Sequence, residues 1–129
     1  MSNAKERMLQ ILEDTIKFFN KNNLSISTRC CYLSPNGNKC AVGRLMTDEE
    51  LKKWHEFEEA NHNSGDGTGY IDGLDSGLRV SALENLPTDF VCDLQELHDT
   101  RPYWNENGLS DRGRQFYERI KAMIVDGFY

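Results

Sequence analysis

Residues 87–102 read Pro87-Thr88-Asp89-Phe90-Val91-Cys92-Asp93-Leu94-Gln95-Glu96-Leu97-His98-Asp99-Thr100-Arg101-Pro102. Phe90, Leu94 and His98 fall at i, i+4 and i+8, with Val91 and Leu97 beside them. That spacing predicts an amphipathic helix with one apolar face. Pro87-Thr88 opens it, and it runs to about His98 or Asp99. It must stop there, because Arg101 precedes Pro102 and a residue before proline avoids the α region. His98 therefore lies on the apolar face in the last turn, where the terminal carbonyls favour a donor or cationic ring.

Working outward from this helix, most of the chain also reads as helical. From Ala4 to about Lys21, Met8, Leu12, Thr15 and Phe19 make an apolar stripe, widened by Ile11, Ile16 and Phe18. Asn20, Asn22 and Asn23 end that helix. Leu24 to Tyr32 alternate with a period of two, which predicts a half-buried strand. Ser34-Pro35-Asn36-Gly37 is a turn sequence, so a small hairpin is expected around Pro35–Asn38. Thr47 with Glu50 is a capping box opening a helix over 48–60, with Leu51, Trp54 and Phe57 at helical spacing. Ser81 with Glu84 repeats the pattern and predicts a short helix. Tyr103 to Asn107 reads as a loop with an aromatic pair. Ser110 caps a last helix with Phe116, Ile120, Met123 and Ile124 as its stripe, and Gly127 ends it. The fold class is α+β: a mostly helical single domain with a small β-hairpin, its core formed by the first, fourth and last helices around Cys40–Leu45.

At 129 residues and 14.9 kDa the chain fits one domain over 1–129, interrupted by a Gly-rich loop or insertion at about 61–79. The net charge of −6 and pI near 5.0 disfavour non-specific binding to nucleic acid or anionic membrane, since both need a basic field. No apolar run approaches the roughly 20 residues of a membrane span. Glu6, Glu13 and Asp14 break up the first 20 residues, which do not read as a signal peptide. A cytoplasmic protein follows, and with it four reduced thiols rather than disulfides.

Cys31-Tyr32, Pro35-Asn36-Gly37, Lys39-Cys40-Ala41-Val42-Gly43, Leu45 and Asp48-Glu49-Glu50 occur in that order in the front half. Leu94-Gln95-Glu96-Leu97-His98-Asp99, Trp104 and Leu109-Ser110 follow in the back half. From about Met8 to Ile124, this succession resembles a group of small proteins of tailed bacteriophages, prophages and plasmids. The resemblance implies a mobile-element origin, a host bacterial cytoplasm and one compact domain, and it supplies no catalytic residues. Arg44 departs from the pattern, standing where many relatives carry a second small residue or a Cys.

Three kinds of chemistry are open to these residues. Cys40 at the first turn of a helix, with His98 as base and Asp99 as its orienter, would make a small thiol-dependent hydrolase. Against this, Cys40, Ala41 and Gly43 are small enough to let two backbone elements approach closely, and free Cys is among the most buried residue types. Cys31, Cys40, Cys92 and His98 could make a zinc-stabilised interaction module, but their spacings match no zinc knuckle, so no metal is expected. Gly65-Asp66-Gly67-Thr68-Gly69 lacks the ending of a phosphate loop and reads as a solvated loop. The remaining reading is non-enzymatic and needs no cofactor. An accessory protein would bind a host protein or a small nucleotide-like anionic ligand, in an anti-defence role, through a rim of Arg29, Arg44, His98, Arg101 and Trp104. Lys52-Lys53 and Arg112 to Arg114 read as ordinary wet helix faces.

Overall fold

The computed structural model describes residues 4–23, 39–60 and 73–129. Among the described residues four longer helices dominate: α1 (Ala4–Phe18), α2 (Asp48–Ala60), α3 (Thr88–Asp99) and α4 (Asp111–Asp126). One two-stranded antiparallel hairpin joins α3 to α4: β1 (Trp104–Asn105) and β2 (Gly108–Leu109), with Trp104 opposite Leu109 and Asn105 opposite Gly108. The architecture is α+β and mostly helical, as the sequence predicts. The predicted strand Leu24–Tyr32 and the hairpin around Pro35–Asn38 lie outside the described residues. The hairpin that is described falls where a plain loop was expected. Gly108 takes φ 130°, which a side chain would resist, and the Asn105 side chain accepts from the Asn107 N–H at 2.9 Å.

Helix ends follow their local chemistry. α1 stops at Phe18, three residues short of the expectation, because the Asn23 amide donates to the Phe18 carbonyl at 2.8 Å. The Asn20 N–H turns outward to the Asn23 side chain at 2.7 Å. The Ser110 hydroxyl accepts from the Gly113 N–H at 3.2 Å and starts α4. Gly127, at φ 77°, closes α4 with the paired bonds of a left-handed cap: its N–H to Ile124, and the Phe128 N–H to Met123.

The Thr47–Glu50 capping box forms in full, with bonds of 2.9 and 3.1 Å. Glu50 does more than its sequence pattern announces. Its other oxygen accepts from both the N–H and the hydroxyl of Ser81, at 2.9 and 2.6 Å. Ser81 is thereby taken from its own expected capping box, and Ser81–Leu83 is a single 3-10 turn instead of a short helix. Burial pushes the Glu50 carboxyl up, but the hydrogen bonds from Ser81 and Thr47 outweigh it and hold the group below its ordinary 4.5. A lowered carboxyl stabilises the fold above its unfolded value, and that contribution fades as pH falls through the folded one. Glu50→Gln should therefore cost about 1 kcal/mol at neutral pH, the size of a lost cap. It should cost less below pH ~4. Thermal midpoints of both proteins at the two pH values test this, and an equal loss at both would refute it.

The core lies between α1, α3 and α4. Leu12, Phe19, Leu94, Leu97, Ile120 and Ile124 are all buried there. The Tyr117 phenol donates to the Glu13 carboxylate and ties α4 to α1. Burial, then that carboxylate, push the phenol up to about 12. Arg7 clamps α1 to the Ser81 turn through the carbonyls of Glu84 and Ala82, at 2.9 and 3.0 Å. Of the Gly-rich loop expected at about 61–79, residues 61–72 lie outside the described residues, and from Gly73 the chain makes a helical turn seated on the buried ring of Trp54.

Candidate functional site

The segment from Cys40 to Met46 is a tight bend. The Arg44 N–H donates to the Cys40 carbonyl at 2.9 Å, and Gly43–Leu45 make a 3-10 turn. Inside it, the Gly43 N–H donates to the Cys40 sulfur at 3.2 Å. Cys40, Ala41, Val42 and Gly43 are all buried, and the Val42 N–H donates to the Gln95 side chain at 3.0 Å. Gln95 lies three residues before His98, so the small-residue bend docks directly on the helix that carries the imidazole.

His98 is itself fully buried. Its Nδ1 lies 2.6 Å from Asp99 Oδ1, and its ring meets Phe19 edge-on with centroids 4.9 Å apart. Phe19 in turn meets Trp104 at 6.1 Å. The Trp104 N–H donates to the Leu97 carbonyl at 2.8 Å. That carbonyl is in the last turn of α3, where helical partners run out, so the indole serves as a cap from outside the helix.

The sequence motifs are thus brought together, but in the interior. Cys40 and His98 each have no exposed surface, so neither faces a cleft in this conformation. The predicted ligand rim is not a continuous surface either. Trp104 is 4% exposed and His98 0%, because the aromatic and imidazole rings belong to the packing between α1 and α3. Arg44 is half-buried with its guanidinium 4.1 Å over the Phe18 ring, Arg101 is exposed, and Arg29 lies outside the described residues. Of the thiols weighed for zinc, Cys31 is not described, and Cys92 is half-buried on α3, its thiol pushed up by burial and then by Asp89 and Asp93. Among the described residues no three His, Cys, Asp or Glu side chains gather as a metal site. The Gly65–Gly69 stretch also lies outside the described residues.

A different surface carries polar groups in a concave setting. Arg112, Gln115, Phe116 and Arg119 line a groove of about 320 Å³ together with Tyr103. Tyr103 and Phe116 stack at 5.3 Å with ring planes 27° apart. Tyr103 reaches α4 because Gly113 lets it: a Cβ there would stand 2.1 Å from the Tyr103 carbonyl oxygen. The sequence reads Arg112 to Arg114 as a wet helix face and gives Arg119 no role. The spacing of Arg112, Gln115, Phe116 and Arg119 at i, i+3, i+4 and i+7 is a visible signal, but Tyr103, the other half of the aromatic wall, comes from a separate element. A second, larger groove of about 530 Å³ runs along Leu74, Arg79, Ser81 and Glu84 to Asn85, whose φ of 66° is positive.

No protein family, no curated protein and no solved structure matches the chain. Among the described residues, no helix is long and apolar enough to cross a membrane.

Proposed function

We propose that this chain is a non-enzymatic accessory protein of the phage and prophage type, acting in the host cytoplasm by binding a small anionic ligand and so blunting a host defence. The observation that carries the non-enzymatic part is the complete burial of Cys40 and His98. A thiol nucleophile must reach its substrate as a thiolate. Here the sulfur is enclosed in the bend and the imidazole is wedged against Phe19, both sealed from any substrate. The motif then serves as scaffold, and recognition is left to the surface. The resemblance of this succession of motifs to phage and prophage proteins is what suggests the biological setting. A host protein is the second reading, favoured by Phe18, 46% exposed beneath the Arg44 guanidinium.

Site-resolved alkylation tests the first half. Cys40 should label at least about tenfold more slowly than the half-buried Cys92 in the folded protein. A Cys40 that labels faster than an ordinary thiol would restore the hydrolase reading. Thermal midpoints measured with small phosphates, nucleotides and carboxylates test the second half, since a ligand that binds only the folded state must raise the midpoint. A midpoint that none of them moves would leave the host-protein reading in its place.

A further inference from the structure

We infer that the groove beside α4 is the anion site, and that it takes a mononucleotide-class ligand: one phosphate between Arg112 and Arg119 and one flat ring against the Tyr103–Phe116 wall. The inference rests on the anion-binding reading above and gives it a place and a ligand class. Four observations lead to it.

The first is charge. The chain carries −6 overall, yet Arg112 and Arg119 take part in no ion pair among the described residues. Arg119 lies close enough to Tyr129 to favour its phenolate, but neither guanidinium is taken up by a salt bridge among the described residues, and two such groups on one helix face are a local reversal of the protein's field. The second is spacing. Seven residues are about two helical turns, or ~10 Å along the axis. Two long side chains leaving one face at that separation can close on a single anion between them, and guanidinium forks suit phosphate oxygens. Gln115, between the two, adds an amide that can donate or accept.

The third observation is the wall. The Tyr103 backbone is pinned at both its N–H and its carbonyl, and its ring rests on Phe116. Its N–H donates to Thr100 at 2.9 Å, its carbonyl accepts from Ser110 at 2.8 Å, and Gly113 closes against that same carbonyl. The Ser110 hydroxyl also holds the Pro102 carbonyl at 2.6 Å. The stacked aromatics are therefore set in place before any ligand arrives, which lowers the ordering cost of binding. A flat ring gains by stacking there, whereas a bare carboxylate gains nothing from an aromatic wall. The fourth is size. At about 320 Å³ the groove is at the small end of ligand sites, enough to seat one nucleotide.

The test is isothermal titration of the full chain with AMP, adenosine, inorganic phosphate and a short poly-glutamate peptide. AMP should bind at least about tenfold tighter than phosphate or adenosine, because only AMP uses both halves of the site. Arg112→Gln with Arg119→Gln, both exposed positions, should weaken AMP at least about tenfold while leaving the thermal midpoint of the free protein within a few degrees. Tyr103→Leu should weaken AMP and leave phosphate unchanged. If AMP binds but the double variant binds it equally well, this site is wrong and the anion-binding function stands. If Arg44→Gln or Arg101→Gln weakens AMP instead, the ligand belongs to the other rim. If the peptide binds tighter than AMP, the occupant is an acidic protein segment and the nucleotide inference is overturned. If no anion binds, both readings fall together.

Discussion

Trp54→Ala should destabilise the protein by about 3–5 kcal/mol, the range for deleting a fully buried large aromatic. The ring has no exposed surface, and its N–H donates to the Arg79 carbonyl at 3.0 Å. It therefore fastens α2 to the segment that begins at Gly73. The same contact can be broken from the other side. A Cβ on Gly73 would stand 2.1 Å from one atom of the Trp54 ring and 2.5 Å from the next. A rigid buried ring cannot swing aside from an added methyl as an exposed Lys could, so Gly73→Ala alone should cost about 1–3 kcal/mol by overpacking. The two changes are not additive. With Trp54 already Ala, the methyl at Gly73 enters vacated space, and its penalty should vanish or reverse. Urea unfolding of the four proteins in the cycle measures this coupling, expected at more than about 1 kcal/mol. Independent, additive losses would mean that the ring and the glycine are not in contact.

This pair shows where sequence reading reaches its limit. The Thr47–Glu50 box was legible because both partners lie within four residues, and the α3 stripe because Phe90, Leu94 and His98 repeat at one turn's spacing. The weaker Ser81–Glu84 pattern marks a helical turn, but its cap does not form. Its serine is claimed by Glu50, 31 positions away in the chain, and no local rule contains that competitor. The hairpin at Trp104–Leu109 has two residues in each strand, too few to display a period, so only its Asn and Gly residues marked it. The small residues of the Cys40 bend already argue for a buried thiol at a close backbone approach, whereas the complete burial of His98 goes further than its place on an apolar face requires. His98, Arg101 and Trp104 are close in sequence and allow two readings, a ligand rim or a partly buried His with a Trp plugging the edge of the core. Trp104 folds back onto the carbonyl of Leu97 and goes inside. The α4 groove was missed for the converse reason. Half of it is a helix face that reads as solvated, and the other half is Tyr103, brought near only because position 113 carries no side chain.

Trp104→Ala should also cost about 3–5 kcal/mol, and its consequences bear on function as well as stability. The indole fills the space beside Phe19 and satisfies a carbonyl that the end of α3 leaves without a helical partner. Trp104→Phe separates these contributions. Phenylalanine restores much of the apolar contact but cannot donate, so the buried Leu97 carbonyl loses its partner, at a cost of about 1–3 kcal/mol. The order wild type, Phe, Ala in urea midpoint is the expected result, and Phe equal to wild type would show that the hydrogen bond contributes nothing. The more telling measurement is the labelling rate of Cys40 in the same three proteins. If the thiol is sealed in the core, a reagent reaches it only when the core opens, and the rate follows the population of the open state. A loss of 3 kcal/mol should then speed Cys40 labelling by roughly 100-fold, since each 1.4 kcal/mol is a factor of ten. A rate unchanged while the urea midpoint falls would mean that the reagent takes a local route to the sulfur, open in the native fold. That route would also serve a substrate, so this one comparison separates a structural cysteine from a nucleophile.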